Sequence, residues 1–155
     1  MKRIFLFLMG VLFLIGCGEE YYKDPESTLA QYVENRRMGS AMQIEATMNC
    51  FPKEEKEWWL NKSLRICELK YGKFNQMCGE SATNKSALWN DLFEPIGPKS
   101  TNVTSSEIDE KEGVATLIVD GKEVYFVKTG PNWKLDGFFG VKEQLIEEFP
   151  ELAEE

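Results

Sequence analysis

The sequence predicts an α+β domain, with helices in its first two thirds and an antiparallel sheet in its last third. Three observations predict it. Between residues 24 and 93, apolar residues recur at helical spacing, and Pro and Gly punctuate the runs. From residue 103 onward the spacing shifts to alternation. Within that region Asp120-Gly121 joins two strand-like runs, the strongest short-range signal of a hairpin.

Asp24-Pro25-Glu26-Ser27 starts the first helix, with Asp24 as cap and Pro25 at the first helical position. Leu29, Tyr32 and Val33 form its apolar face, and Gly39 stops it. Ser40-Ala41-Met42-Gln43 reads as a capping box opening a second helix, which Pro52 ends. Lys53 to Tyr71 reads as a third helix with Leu60, Leu64 and Cys67 on one face. Trp58 and Trp59 are adjacent and cannot both face one way on a helix, so one is expected in the core and the other at a cleft or surface. Residues 72–83 read as irregular, and Asn84 to Phe93 as a short helix ended by Pro95-Ile96-Gly97-Pro98.

In the last third, strands are expected at Val103 to Ile108, Val114 to Val119, Lys122 to Lys128 and Trp133 to Phe138. A two-residue turn at Asp120-Gly121 sets Val119 opposite Lys122 and Ala115 opposite Phe126. A turn over residues 129–132 sets Lys128 opposite Trp133, and hence Phe126 opposite Leu135 and Tyr125 opposite Asp136. Alternation then collects Ala115, Leu117, Val119, Val124, Phe126, Trp133 and Leu135 on one face, a core face for the helices. The other face collects Val114, Thr116, Ile118, Tyr125, Val127, Lys134, Asp136 and Phe138, a mixed surface. A short final helix is expected over Val141 to Phe149, and either it covers that mixed face or the face meets a partner or a second copy.

The chain carries 18 basic and 26 acidic residues and no histidine. An acidic domain is repelled by nucleic acid and by anionic headgroups, so no nucleic-acid partner is expected. The lack of histidine excludes Ser-His-Asp and Cys-His catalysis and the HExxH zinc site. The spacing of Cys50, Cys67 and Cys78 fits no zinc pattern, and neither metal nor cofactor is expected. In an exported protein these three make one disulfide and one buried thiol. Cys67 with Cys78 is the expected pair, since a reversal near Gly72 brings them together.

The N-terminus has the layout of a secretory signal: Met1-Lys2-Arg3, an apolar run from Ile4 to Ile15, then Gly16. That run is short of the roughly 20 residues that cross a bilayer. Leu14-Ile15-Gly16-Cys17 resembles the lipobox of bacterial lipoproteins. The resemblance implies a signal peptide at residues 1–16, lipidation of Cys17 and a membrane anchor through that lipid. Loss of Lys2 and Arg3 then takes the net charge from −8 to −10. Residues 17–23 read as a lipidated tether, spanning roughly 20 Å when extended, and residues 24–155 as a single domain. Gly18, with no Asp after the cysteine, resembles lipoproteins sent to the outer membrane, on its periplasmic side, in a two-membrane bacterium; otherwise the outer face of the plasma membrane is expected.

Pro25-Glu26-Ser27-Thr28-Leu29-Ala30-Gln31-Tyr32, followed by Gly39 and a second helix, resembles the opening of nuclear transport factor 2-like domains. Val114 to Phe138, with Val127-Lys128 and Trp133-Lys134-Leu135-Asp136-Gly137, resembles the closing hairpins of small bacterial lipoproteins in that superfamily, many of them of unknown function. The resemblance implies a cone: a curved sheet wrapped on helices, with a pocket between them. Trp58, Trp59, Trp89, Phe126 and Trp133 are the residues that would line such a pocket if they are not simply core. Thr116, Ile118, Tyr125, Val127, Lys134 and Asp136 would form a partner or dimer face. Enzymes of the superfamily use a pocket Asp with a His or Tyr. Here the nearest pair is Tyr125 with Asp136, whose plain reading is a cross-strand hydrogen bond.

The functional expectation is a non-catalytic, membrane-anchored envelope lipoprotein that binds a partner protein or a small apolar ligand. Two alternatives stay open: an inhibitor or immunity-type protein docking a basic target through its acidic surface, and a His-free acid–base enzyme.

Overall fold

The structure, a computed structural model, describes residues 20–38 and 40–153, and their side chains except at residues 20, 40–42 and 82. The signal and lipobox, including Cys17, lie outside the described residues. The expected tether overlaps them at residues 20–23. Glu20–Tyr22 forms a 3-10 turn packed on the domain, and Tyr22 is half-buried against the core. An aromatic ring beside apolar surface gains more from burial than from hydration.

Helix α1 (Pro25–Asn35) starts as its cap residues dictate: the Asp24 carboxylate accepts from Ser27 N at 2.6 Å. The expected stop, Gly39, lies outside the described residues. Helix α2 spans Ser40–Met48; the Ser40 side chain of the expected capping box lies outside the described residues. The Gln43 amide exchanges hydrogen bonds of 3.0 and 3.3 Å with Asn90. Helix α3 (Lys53–Tyr71) buries Trp59, Ser63, Ile66 and Cys67, while Leu60 is 43% exposed. Cys67 faces inward as expected, but the rest of the buried face is turned toward Trp59, Ser63 and Ile66, which puts the larger apolar area of Trp59 inside. Helix α4 (Ala82–Phe93) begins two residues earlier than expected, because Ser81 Oγ accepts from Asn84 N at 3.1 Å. Cys67 and Cys78 are paired, with Cα atoms 5.3 Å apart, across the turn at Gly72, and Cys50 is free and buried.

Strands β1 (Val103–Asp109), β2 (Val114–Val119), β3 (Lys122–Thr129) and β4 (Asn132–Leu135) form one antiparallel meander in that spatial order. Val119 faces Lys122, Ala115 faces Phe126, Lys128 faces Trp133 and Phe126 faces Leu135, as the turns predict. Asp120 and Gly121 hold the positive φ values of 49° and 78° that a two-residue hairpin turn demands. The second turn is tighter than expected, since Thr129 already pairs with Asn132.

All seven residues of the predicted core face are buried. They meet an aromatic layer from the helices, in which Trp89 stacks on Phe93 at 3.8 Å and Trp59 abuts Trp89 edge-on at 5.2 Å. Helix α1 is fixed to β4 by Thr28 Oγ1, which donates to the Trp133 carbonyl at 2.9 Å. The outer edge of β4 is satisfied by Cys50, whose carbonyl accepts from Leu135 N at 2.7 Å.

The fourth strand ends at Leu135, three residues short of the expectation. Phe138, assigned to the mixed face, is instead fully buried among Phe51, Trp89 and Phe93. The chain leaves the strand through a left-handed turn, Gly137–Gly140, with φ values of 73°, 46°, 57° and 79°. This turn swings Phe138 from the sheet's outer side into the core. Helix α5 (Val141–Glu148) then buries Val141 and Leu145. The turn at Pro150–Leu152 that follows it reaches α3 through an Arg65–Glu151 ion pair of 3.1 Å. The mixed face keeps Val114 and Tyr125 about half exposed.

Candidate functional site: a cavity beside the left-handed turn

Three segments distant in sequence surround a cavity of about 610 Å³: the loop at residues 95–99, the turn between β2 and β3, and residues 136–143. Its apolar walls come from Ile96, Val119, Val124 and Phe139. The volume falls within the range of small-molecule sites.

Each wall has an identifiable cause. The 95–99 loop is drawn onto α1 by Arg36, whose guanidinium donates to the carbonyls of Pro98 (2.8 Å) and Glu94 (3.4 Å). Gly97 makes the close approach possible: a Cβ there would lie 2.5 Å from Tyr32 Oη and 3.1 Å from Phe139 Cε2. Tyr32 is fully buried beneath that loop, and its hydroxyl has no hydrogen-bond partner among the described residues. The β2–β3 turn is fixed by Asp120, which accepts from Ser100 Oγ at 2.6 Å and Asn102 Nδ2 at 3.4 Å.

The third wall is the left-handed turn. Positive φ at two consecutive phenylalanines is costly, of order 1–3 kcal/mol per residue, and persists only where surrounding structure over-determines it. Glu55, in the first turn of α3, supplies part of that constraint: its Oε1 accepts from Gly137 N at 2.9 Å. Burial pushes the Glu55 carboxyl up to about 7, with the neighbouring Asp136 adding to the rise and the backbone N–H groups of Gly137 and Phe138 and the Lys142 ammonium opposing it. Its second oxygen is buried without a partner among the described residues. Glu55 therefore stands behind the wall and holds it, while Phe139 and Asp136 face the cavity.

The residues singled out from the sequence divide differently from expectation. Trp59, Trp89, Phe126 and Trp133 are at most 1% exposed and belong to the solid core, and none lines the cavity. Trp58 is half-buried against Phe138, with Lys142 Nζ 5.3 Å from its ring centre. Of the two readings open for these rings, core or pocket lining, Trp59, Trp89, Phe126 and Trp133 take the core one, burying their area in one cluster with the sheet.

Of the expected partner face, Tyr125 and Asp136 reach the cavity rim. They are joined through the backbone, Asp136 N donating to the Tyr125 carbonyl at 2.9 Å, while the Tyr125 hydroxyl donates to Glu123 rather than to Asp136. Lys134 curls over the edge of β4, donates to the Asn49 carbonyl at 2.6 Å and sits 3.6 Å over the Tyr22 ring, so it is no longer part of that face. Thr116, Ile118 and Val127 remain there, half-buried. Reading the sequence missed Gly97, Val119, Val124, Phe139 and Glu143 as cavity residues; the one available signal was the pair of glycines bracketing Phe138-Phe139.

Among the described residues no helix is long and apolar enough to cross a membrane, and no group of three or more acidic or cysteine side chains has metal-binding geometry. The chain matches no protein-family model, no curated protein and no solved structure.

Proposed function

We propose that this protein is an envelope lipoprotein, anchored through Cys17, whose domain is a non-catalytic binding module with the cavity as its ligand site. The observation that carries the reading is a concave, largely apolar site walled by a strained turn, a combination typical of ligand clamps. The meander with helices packed on one face supports the finer proposal of a nuclear transport factor 2-like cone. Tyr22 packs against the core only five residues after Cys17, which supports a domain held near the anchor.

Glu55 favours one second reading, a His-free acid–base enzyme, because its carboxyl is poised near neutrality. Its place behind the wall, bonded to Gly137, weighs against that role.

Native mass spectrometry of the full chain released from bacterial membranes in mild detergent tests the proposal. The expected spectrum carries a covalent acyl mass, lost in Cys17→Ala, and a non-covalent mass that leaves on denaturation. An unmodified chain refutes the anchor, and a chain with no affinity for any small molecule refutes the binding module.

A further inference from the structure

The cavity's charges are not distributed evenly, and their partners can be counted. Four carboxylates and two ammonium groups line it: Asp120, Glu123, Asp136 and Glu143 against Lys99 and Lys122. Two of the carboxylates are engaged within the protein, Asp120 by Ser100 and Asn102 and Glu123 by Tyr125. Both lie at the β2–β3 turn, as does Lys122. The opposite wall, residues 136–143, places Asp136 and Glu143 in the cavity with Phe139 between them in sequence. Neither side chain has a hydrogen-bond or ion-pair partner among the described residues. Lys142, the cation on that segment, is absent from the lining and lies over the Trp58 ring instead.

The wall that carries Phe139 is therefore acidic, and the cavity as a whole holds an excess of negative charge within a chain of net charge −8. Such a site attracts a cation and repels an anion, and its concave, low-dielectric walls strengthen both effects. The apolar surfaces of Phe139, Val119, Val124 and Ile96 select for a ligand with an apolar body. An ammonium or guanidinium group on such a body can meet Asp136 and Glu143 while the body lies on Phe139, where the ring face adds attraction for the positive charge.

We propose that the cavity between the β2–β3 turn and the Gly137–Gly140 turn binds amphiphilic organic cations, compounds with one protonated amine on an aromatic or aliphatic body, through Asp136, Glu143 and Phe139. This rests on the cavity being a ligand site at all, and the test separates the two claims.

Three probes of nearly equal shape serve: benzylamine, benzyl alcohol and benzoate. Each is titrated into the full-length protein, and binding is followed by the amide shifts of Gly97, Val124 and Phe139. The expected order is amine over alcohol over benzoate, with the amine about tenfold tighter than the alcohol. The amine's advantage should shrink as salt rises from about 20 to about 500 mM, a span over which screening tightens markedly. In Asp136→Asn/Glu143→Gln the amine should fall to the level of the alcohol, and a melting curve confirms that this variant is folded. Equal binding of all three probes overturns the cation preference and leaves the cavity reading standing. Benzoate binding best overturns it in favour of Lys99 and Lys122. Failure of all three probes to shift those amides overturns both.

Discussion

Phe138 and Phe139 are neighbours on one left-handed turn, with φ values of 46° and 57°, and they face different environments. Phe138 is fully buried, in contact with Phe51, Trp58, Trp89 and Phe93. Phe139 touches Tyr32 and Phe51 on one side and lines the cavity on the other. The same unusual backbone thus closes a solid core with one ring and forms the wall of a binding site with the next. On a strand, adjacent residues would also diverge, but Phe138 would then have stayed on the outer face. The left-handed turn is what brings it inside and leaves its neighbour at the cavity.

The largest effect is expected on the core side of that division, from Phe138→Ala. It removes a buried ring from the aromatic layer and should cost about 3–5 kcal/mol in urea denaturation, with cooperative folding weakened or lost. Breaking the Cys67–Cys78 bond with Cys78→Ser comes next. It releases a short closed loop and should cost about 2–3 kcal/mol. The same loss should follow from reducing the wild-type protein, while a Cys50→Ala variant keeps its response to reductant.

Glu55 links the two regions and should make stability depend on pH. Burial raises its carboxyl from the ordinary range near 4.5 to about 7 in the folded protein. The folded state therefore holds the proton more tightly than the unfolded chain, and the contribution is complete below about pH 4.5. It is lost as pH rises from there through about 7. Because Glu55 is only partly buried, on the order of 1–2 kcal/mol is the expected size after discounting for solvent screening. Glu55→Gln should flatten that part of the denaturation profile, giving a variant at least as stable as wild type at about pH 8. A wild-type profile that rises between about pH 5 and about pH 7 would contradict the assignment. The smallest stability effect belongs to Phe139→Ala, about 1–2 kcal/mol for a half-buried ring, accompanied by loss of affinity for aromatic probes.

Much of the architecture was legible because it is local. Asp24-Pro25 set the start of α1, Asp120-Gly121 set the register of β2 on β3, and the turn over residues 129–132 set that of β3 on β4, through counting alone. Lys53 and Tyr71 bounded α3 as read, although Trp59 rather than Leu60 faces inward. The Cys67–Cys78 pairing followed from a reversal at Gly72. The cavity was not legible, because it is assembled from residues near 96, 120 and 140, whose meeting depends on the packing of α4 and α5. The left-handed turn was missed for a different reason. Trp133 to Phe138 is rich in aromatic and apolar residues and reads as a continuing strand, and only Gly137 and Gly140 mark the departure. The aromatic residues expected to line a pocket became core because nothing in composition distinguishes a ring packed on rings from a ring facing a ligand. Tyr22, placed in a polar tether, found a half-buried site under Lys134 that no local pattern announces.

The most direct test of the division between solid core and open cavity is a nitrogen–proton correlation spectrum of the protein titrated with benzyl alcohol, a neutral probe. The tryptophan indole N–H signals report on the core, and the backbone amides of Gly97, Val124 and Gly140 report on the cavity. Saturable shifts are expected in the three amides, with the indoles of Trp59, Trp89 and Trp133 unmoved. Shifts in those indoles with the amides silent would place the ligand space between the helices and the sheet, and would contradict the division.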